Sequence, residues 1–223
     1  PITGSIESDA DGIKLTVVGK AAHGMEPEKG INAGTYLATF LKQLDIRGHA
    51  GDFIDFLASY LHLDTRVNHF NAAFTTDKMG EMTMNAGILK FDQQAGGHID
   101  MNFRYPEGIT ADEILNCIKP VAADHNFAIS RTQGEVPHYV DADDPIVTTL
   151  LKAYVDQTGD QTAQAEVVGG GTYGRLMSRG VAFGALMPDT PNTMHQPNEF
   201  QPVDDLIKSM AIYMQAIHDL VVE

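Results

Sequence analysis

The sequence predicts an α+β chain in two parts: a split βαβ (ferredoxin-like) antiparallel sheet with helices on one face, then an incomplete α/β segment. Three observations predict it. Up to residue 132 the patterns run strand, helix, paired strands, helix, strand. At 133–145 the composition shifts, and Pro137, His138 and the acidic run 141–144 read as a linker. Beyond it, two long helical patterns accompany only two short strand patterns, too few to close a sheet.

Apolar and polar residues alternate over 13–19, which reads as a strand ending in the small-residue loop Gly19-Lys20-Ala21-Ala22-His23-Gly24. Helices are predicted over about 30–44 and 52–61. Residues 82–91 read as a strand, 93–97 as a hairpin turn and 97–105 as the partner strand, which Pro106 breaks. Thr110 with Glu113 three residues on is a capping box opening a helix through Ile118. A short strand at 127–132 closes the first part. In the second part, helices are predicted over 145–158 and 203–221, strands over 164–168 and 181–186, and a helical turn around 173–178. The two parts divide as 1–134 and 135–223.

A chain of 223 residues can bury a proper core. Its 15 basic and 30 acidic residues give a net charge of −15, which repels nucleic acid and anionic membranes and excludes both as expected partners. Cys117 is the single cysteine, so no internal disulfide can form. That suits a reducing compartment, and a cytoplasmic protein is expected. Within the periodic run 113–118 the thiol reads as buried and inert. No apolar run is long enough to cross a bilayer. The chain begins Pro1-Ile2-Thr3-Gly4 without an initiator methionine, the start expected of a processed product or an excised piece.

Candidate functional residues sit on turns. His195 lies in a proline-studded loop, 187–199, where fixed φ angles stiffen the backbone as a metal ligand requires. His23 follows a strand and precedes Gly24, placed to donate a hydrogen bond to a substrate oxygen. Arg104 ends a strand, where a guanidinium suits a bidentate carboxylate contact. Gly169-Gly170-Gly171-Thr172 permits close backbone approach and lacks the lysine of a phosphate-binding loop. The His62/Asp64 and His98/Asp100 pairs have ligand-like spacing but read as decoys. No serine or cysteine stands in a nucleophile elbow.

Three of these segments together, 19–24, 169–172 and 194–199, resemble the dinuclear-zinc peptidases that include carnosinase, the glutamate carboxypeptidases and aminoacylase. Within that family the resemblance is to the PepV-type dipeptidases in particular. The resemblance implies a catalytic α/β domain interrupted by a substrate-capping lid, with 1–134 the later part of the lid and 135–223 the end of the catalytic domain. It implies that His195 is a zinc ligand, His23 an oxyanion stabiliser, Arg104 the carboxylate-binding residue, and Gly170, Gly171 and Thr172 a substrate-backbone contact. Two zinc ions sharing a bridging water, and a dipeptide with a free amino terminus as substrate, are implied as well.

The family's remaining zinc ligands and its catalytic base have no counterpart here. The resemblance therefore implies the C-terminal half of an enzyme, inactive alone and completed by an N-terminal half. Two other readings stay open. One is a non-catalytic α+β interaction module; the other is a self-sufficient metal hydrolase using His62, Asp64, His98 and Asp100.

Overall fold

The computed structural model describes residues 2–10, 12–130, 132–184, 186–194 and 198–222. They form two compact units, 1–137 and 138–223.

The first unit is built around one long hairpin. Strands β5 (Thr83–Asp92) and β6 (Gly96–Arg104) pair antiparallel, from Thr83 opposite Arg104 to Asp92 opposite Gly96. Both stand where the turn chemistry puts them. The Asp92 carboxylate accepts hydrogen bonds from the backbone N–H groups of Gln94 and Ala95, each at 2.8 Å. The bonds from Ala95 and Gln94 hold that carboxyl below its ordinary range. Gly96 then takes φ +86°, which only glycine adopts cheaply. A register shift between Ala86 and Ile88 bends β5 at Gly87.

Four short strands accompany this hairpin, numbered in chain order. β1 (Thr3–Asp9) pairs with β2 (Gly12–Val18), and β3 (Thr75–Thr76) with β4 (Gly80–Glu81). The described residues thus form three separate two-stranded antiparallel ladders. β1 was not expected. Its sequence is mostly polar, and its turn is made by the Gly12 N–H on the Asp9 carboxylate. Ile6 and Ile13 share one face of this ribbon and are 71% and 73% exposed, while Leu15 and Val17 on that face are half-buried.

Helices α1 (Ala33–Leu41) and α2 (His49–Phe56) are shorter than the periodicity suggests, and α2 runs on into a π turn, Leu57–Leu61. Helix α3 (Ala111–Asp124) opens with the expected capping box: Glu113 N–H on Thr110 Oγ1 at 3.2 Å, Thr110 N–H on Glu113 Oε2 at 2.8 Å. It extends six residues past Ile118, straight through Pro120. The proline lies on the exposed side, where the carbonyl it leaves unbonded can turn to water. The buried face continues regardless, as Ile114, Ile118 and Ala122 at intervals of four.

The strand expected at 127–132 is absent from the described residues of that stretch. Its first residue is used in the helix cap instead. Asn126 takes φ +60°, and the Phe127 N–H reaches back to Ala122 O at 2.8 Å, a Schellman-type ending. The Phe127 ring then packs on Phe56, centroids 4.9 Å apart, inside a core made by Phe53, Leu57, Leu61, Phe70, Met82 and Met84.

The second unit rests on α4 (Pro145–Thr158) and α5 (Val203–Val221), both at the bounds the sequence predicts. Asp144 caps α4 by accepting from the Ile146 N–H at 2.9 Å, Pro145 occupies the first turn, and Gly159 at φ +75° ends it. Leu150 and Ala153 of α4 pack with Ala216 of α5, and Val181 and Phe183 lie against them. The strands expected at 164–168 and 181–186 are irregular in the described residues. A strand needs a neighbouring strand for its backbone groups, and no strand pairs with either stretch among the described residues. The Phe183 carbonyl accepts from the Tyr213 hydroxyl at 3.1 Å, while Val167 and Val168 are half exposed. No helix is long and apolar enough to cross a membrane among the described residues.

Candidate functional site

His23 sits in a loop whose two ends are tied together. Lys20 N–H bonds Ile31 O at 3.0 Å and Ile31 N–H bonds Lys20 O at 2.9 Å. Inside the loop, Glu26 N–H reaches His23 O at 2.9 Å, and Pro27–Lys29 make a 3₁₀ turn. The exposed imidazole is oriented by its own loop: the Met25 N–H donates to His23 Nδ1 at 3.2 Å. An Nδ1 that accepts leaves the proton of a neutral ring on Nε2. That is the tautomer able to donate away from the loop.

Arg104 is the last residue of β6 and is half buried. Its Nη1 donates to Asn102 Oδ1 and, at 3.0 Å, to the Phe103 carbonyl. Thr83 stands opposite Arg104, and Asn85 opposite Asn102. An open hollow of about 500 Å³ lies between the His23 loop, the start of α1 and the bend in β5; Ala21, Ala22, Asn32, Gly34, Asn85 and Gly87 line it. Asn32 braces its floor, accepting from the Thr35 N–H at 3.3 Å and donating to Ala86 O at 2.9 Å. The hollow therefore borders both the loop that carries His23 and the strand facing Arg104. Sequence reasoning passed over Asn32 and Asn85. The signal was present in Asn32, an N-cap residue type just before a helical run.

Gly170, Gly171 and Thr172 belong to the second unit. Thr172 precedes a 3₁₀ turn, Tyr173–Leu176, and its carbonyl accepts from the Arg175 N–H at 3.3 Å. At Gly171 a Cβ would meet Arg175 Nη1 at 2.9 Å, so the guanidinium lies close over the backbone there. His195 falls outside the described residues.

The two His/Asp pairs do not form ligand pairs. Asp64 is buried, and its carboxylate accepts from the backbone N–H groups of Arg66 (3.0 Å), Asn68 (3.1 Å) and His69 (2.8 Å). His62 turns elsewhere, its Nδ1 3.3 Å from Thr35 Oγ1 and its ring edge-on to Tyr36. Burial, then the charge of His69, lowers the His62 pKa. His98 and Asp100 lie on exposed positions of β6. Among the described residues, no three His, Cys, Asp or Glu side chains come together as a metal would need.

Asp64 has a structural task. Leu63, Val67 and Asn71 all take φ between +55° and +64°, and Val67 is a fully buried β-branched residue. Such a conformation persists only where its surroundings enforce it. The carboxylate does so by collecting three amides of the turn. Asp64→Ala is expected to destabilise the first unit by about 3 kcal/mol, read as a lower urea midpoint; an unchanged midpoint would refute the assignment.

Comparison with known proteins places the whole chain. Residues 6–219 match the model of Peptidase family M20/M25/M40. A Staphylococcus saprophyticus protein provisionally named a dipeptidase is 40% identical over 222 residues, covering 100% of this chain and 47% of that protein. Similarly named proteins of Staphylococcus epidermidis and Staphylococcus aureus USA300 are 39% and 38% identical, with the same coverage. The chain spans about half the length of the curated relatives it matches.

Proposed function

The chain belongs to peptidase family M20/M25/M40, and from that premise we propose that it is the C-terminal half of a zinc-dependent, PepV-type dipeptidase. Residues 1–134 are the later part of a split βαβ lid that caps the substrate, and 135–223 are the final segment of the catalytic α/β domain. The substrate is a dipeptide with a free amino terminus. A setting in the cytoplasm accords with the acidic composition and single cysteine.

The His23 loop carries this reading. Its Nδ1 is occupied by the Met25 N–H, so a neutral ring presents Nε2–H to a carbonyl oxygen that gains charge during hydrolysis. Arg104 binds the carboxylate at the other end of the substrate, which restricts cleavage to short peptides by orientation. Gly170, Gly171 and Thr172 offer backbone groups to the substrate's main chain.

His195 supplies one zinc ligand. A catalytic zinc takes three protein ligands, and the described donor set does not assemble them. The remaining ligands and the catalytic base come from the preceding half, and this chain alone is inactive.

The test compares the 223-residue chain with the polypeptide as its gene encodes it, both supplied with zinc and assayed on alanyl-alanine. Cleavage by the encoded polypeptide and none by the isolated chain is expected. No cleavage by the encoded polypeptide would overturn the proposal. That outcome would favour a non-catalytic module, whose surface would be the exposed β1–β2 ribbon with Ile6 and Ile13.

A further inference from the structure

The open end of the β5–β6 hairpin holds a polar side chain that the fold leaves unused. Thr83 is 7% exposed, and among the described residues its hydroxyl is the buried side-chain polar atom with no hydrogen-bond partner. An unpaired buried hydroxyl destabilises a fold, and valine would occupy nearly the same volume without that cost. The position of Thr83 suggests its use. It stands directly opposite Arg104, and directly paired residues of an antiparallel ladder project to one face with Cβ atoms about 5 Å apart.

Arg104, for its part, is bonded among the described residues along its own strand, through Nη1 to Asn102 Oδ1 and to the Phe103 carbonyl. A guanidinium has five donors and a bidentate carboxylate engages two, so donors remain for a third acceptor. Asn102 is exposed, and water can replace its share when the guanidinium leaves.

We propose that Thr83 is a positioning residue for Arg104: when a substrate carboxylate draws the guanidinium away from Asn102, the Thr83 hydroxyl accepts one of its N–H groups and sets the plane of the fork. The inference rests on the reading of Arg104 as the carboxylate-binding residue. It explains why a hydroxyl stands at a buried position where the resting fold gives it nothing to bond.

The test uses the encoded polypeptide with Thr83→Val, Thr83→Ser and Arg104→Ala, assayed on alanyl-alanine and on its C-terminal amide. Thr83→Val is expected to raise KM for alanyl-alanine about tenfold, with kcat within about twofold and the amide unaffected. Thr83→Ser restores KM. The thermal midpoint of Thr83→Val stays at or above the parent's, because the lost hydroxyl had no partner to lose.

Kinetics of Thr83→Val equal to the parent on both substrates, while Arg104→Ala loses its preference for the free carboxylate, would overturn the Thr83 role and leave that of Arg104 standing. A loss shared by both substrates, together with a lowered midpoint, would make the hydroxyl structural and overturn the inference too. If Arg104→Ala keeps the preference, or if no dipeptide is cleaved at all, the carboxylate reading fails and the Thr83 inference with it.

Discussion

Arg104→Ala in the encoded polypeptide is expected to raise KM for a free dipeptide about a hundredfold, since two charge-assisted hydrogen bonds to a carboxylate are worth about 3 kcal/mol. The effect should be confined to substrates that carry the carboxylate. A C-terminal amide gives the guanidinium no anion to clamp, so its already poor cleavage changes little. Arg104→Lys is not expected to rescue, because an ammonium is a point charge without the planar fork. Folding should be nearly indifferent: among the described residues the side chain bonds Asn102, which is exposed, and the Phe103 carbonyl beside it. Steady-state kinetics on the matched acid and amide decide the matter. Equal KM changes on the two substrates would remove Arg104 from the carboxylate site.

The strand end that carries Arg104 shows what the sequence makes legible. Local chemistry could be read directly. Thr110 and Glu113 announced their capping box, and Gln93 to Gly97 announced the hairpin turn. Each depends on residues within one or two turns of each other. Elements without a distinctive local pattern could not be read. β1 is nearly all polar and exists only through β2, so no alternation marked it. The strand expected at 127–132 failed because the local ending of α3 claimed Phe127 first.

The candidate site divides along the same line. The residue types at 23 and 104 stood out as chemistry on turns and strand ends. The state of the His23 ring did not, since it follows from the Met25 N–H folding back within a loop pinned by Lys20 and Ile31. Asp64 was misleading in a useful way: beside His62 it resembled half of a ligand pair, yet its carboxylate is consumed by three backbone amides. Thr83 was invisible, because threonine in a strand is ordinary. Only its register with Arg104 and its unpaired hydroxyl distinguish it.

His23→Ala tests the other end of the substrate, and here the rate should suffer while binding survives. Loss of a single donor to a developing oxyanion typically lowers kcat about 10²–10³-fold, and KM is expected to stay within about threefold. The two substitutions therefore separate on different axes: Arg104 is engaged from first binding, whereas His23 gains its full hydrogen bond only as charge develops. His23→Gln should recover part of the rate, since its amide N–H can donate although the Met25 N–H no longer fixes its direction. The loop itself should hold, because the Lys20–Ile31 bonds that close it do not involve the imidazole. Far-ultraviolet circular dichroism and zinc content should match the parent, which assigns the loss to chemistry. A His23→Ala enzyme with unchanged kcat would show that the carbonyl oxygen is stabilised elsewhere and that this loop serves only to shape the hollow.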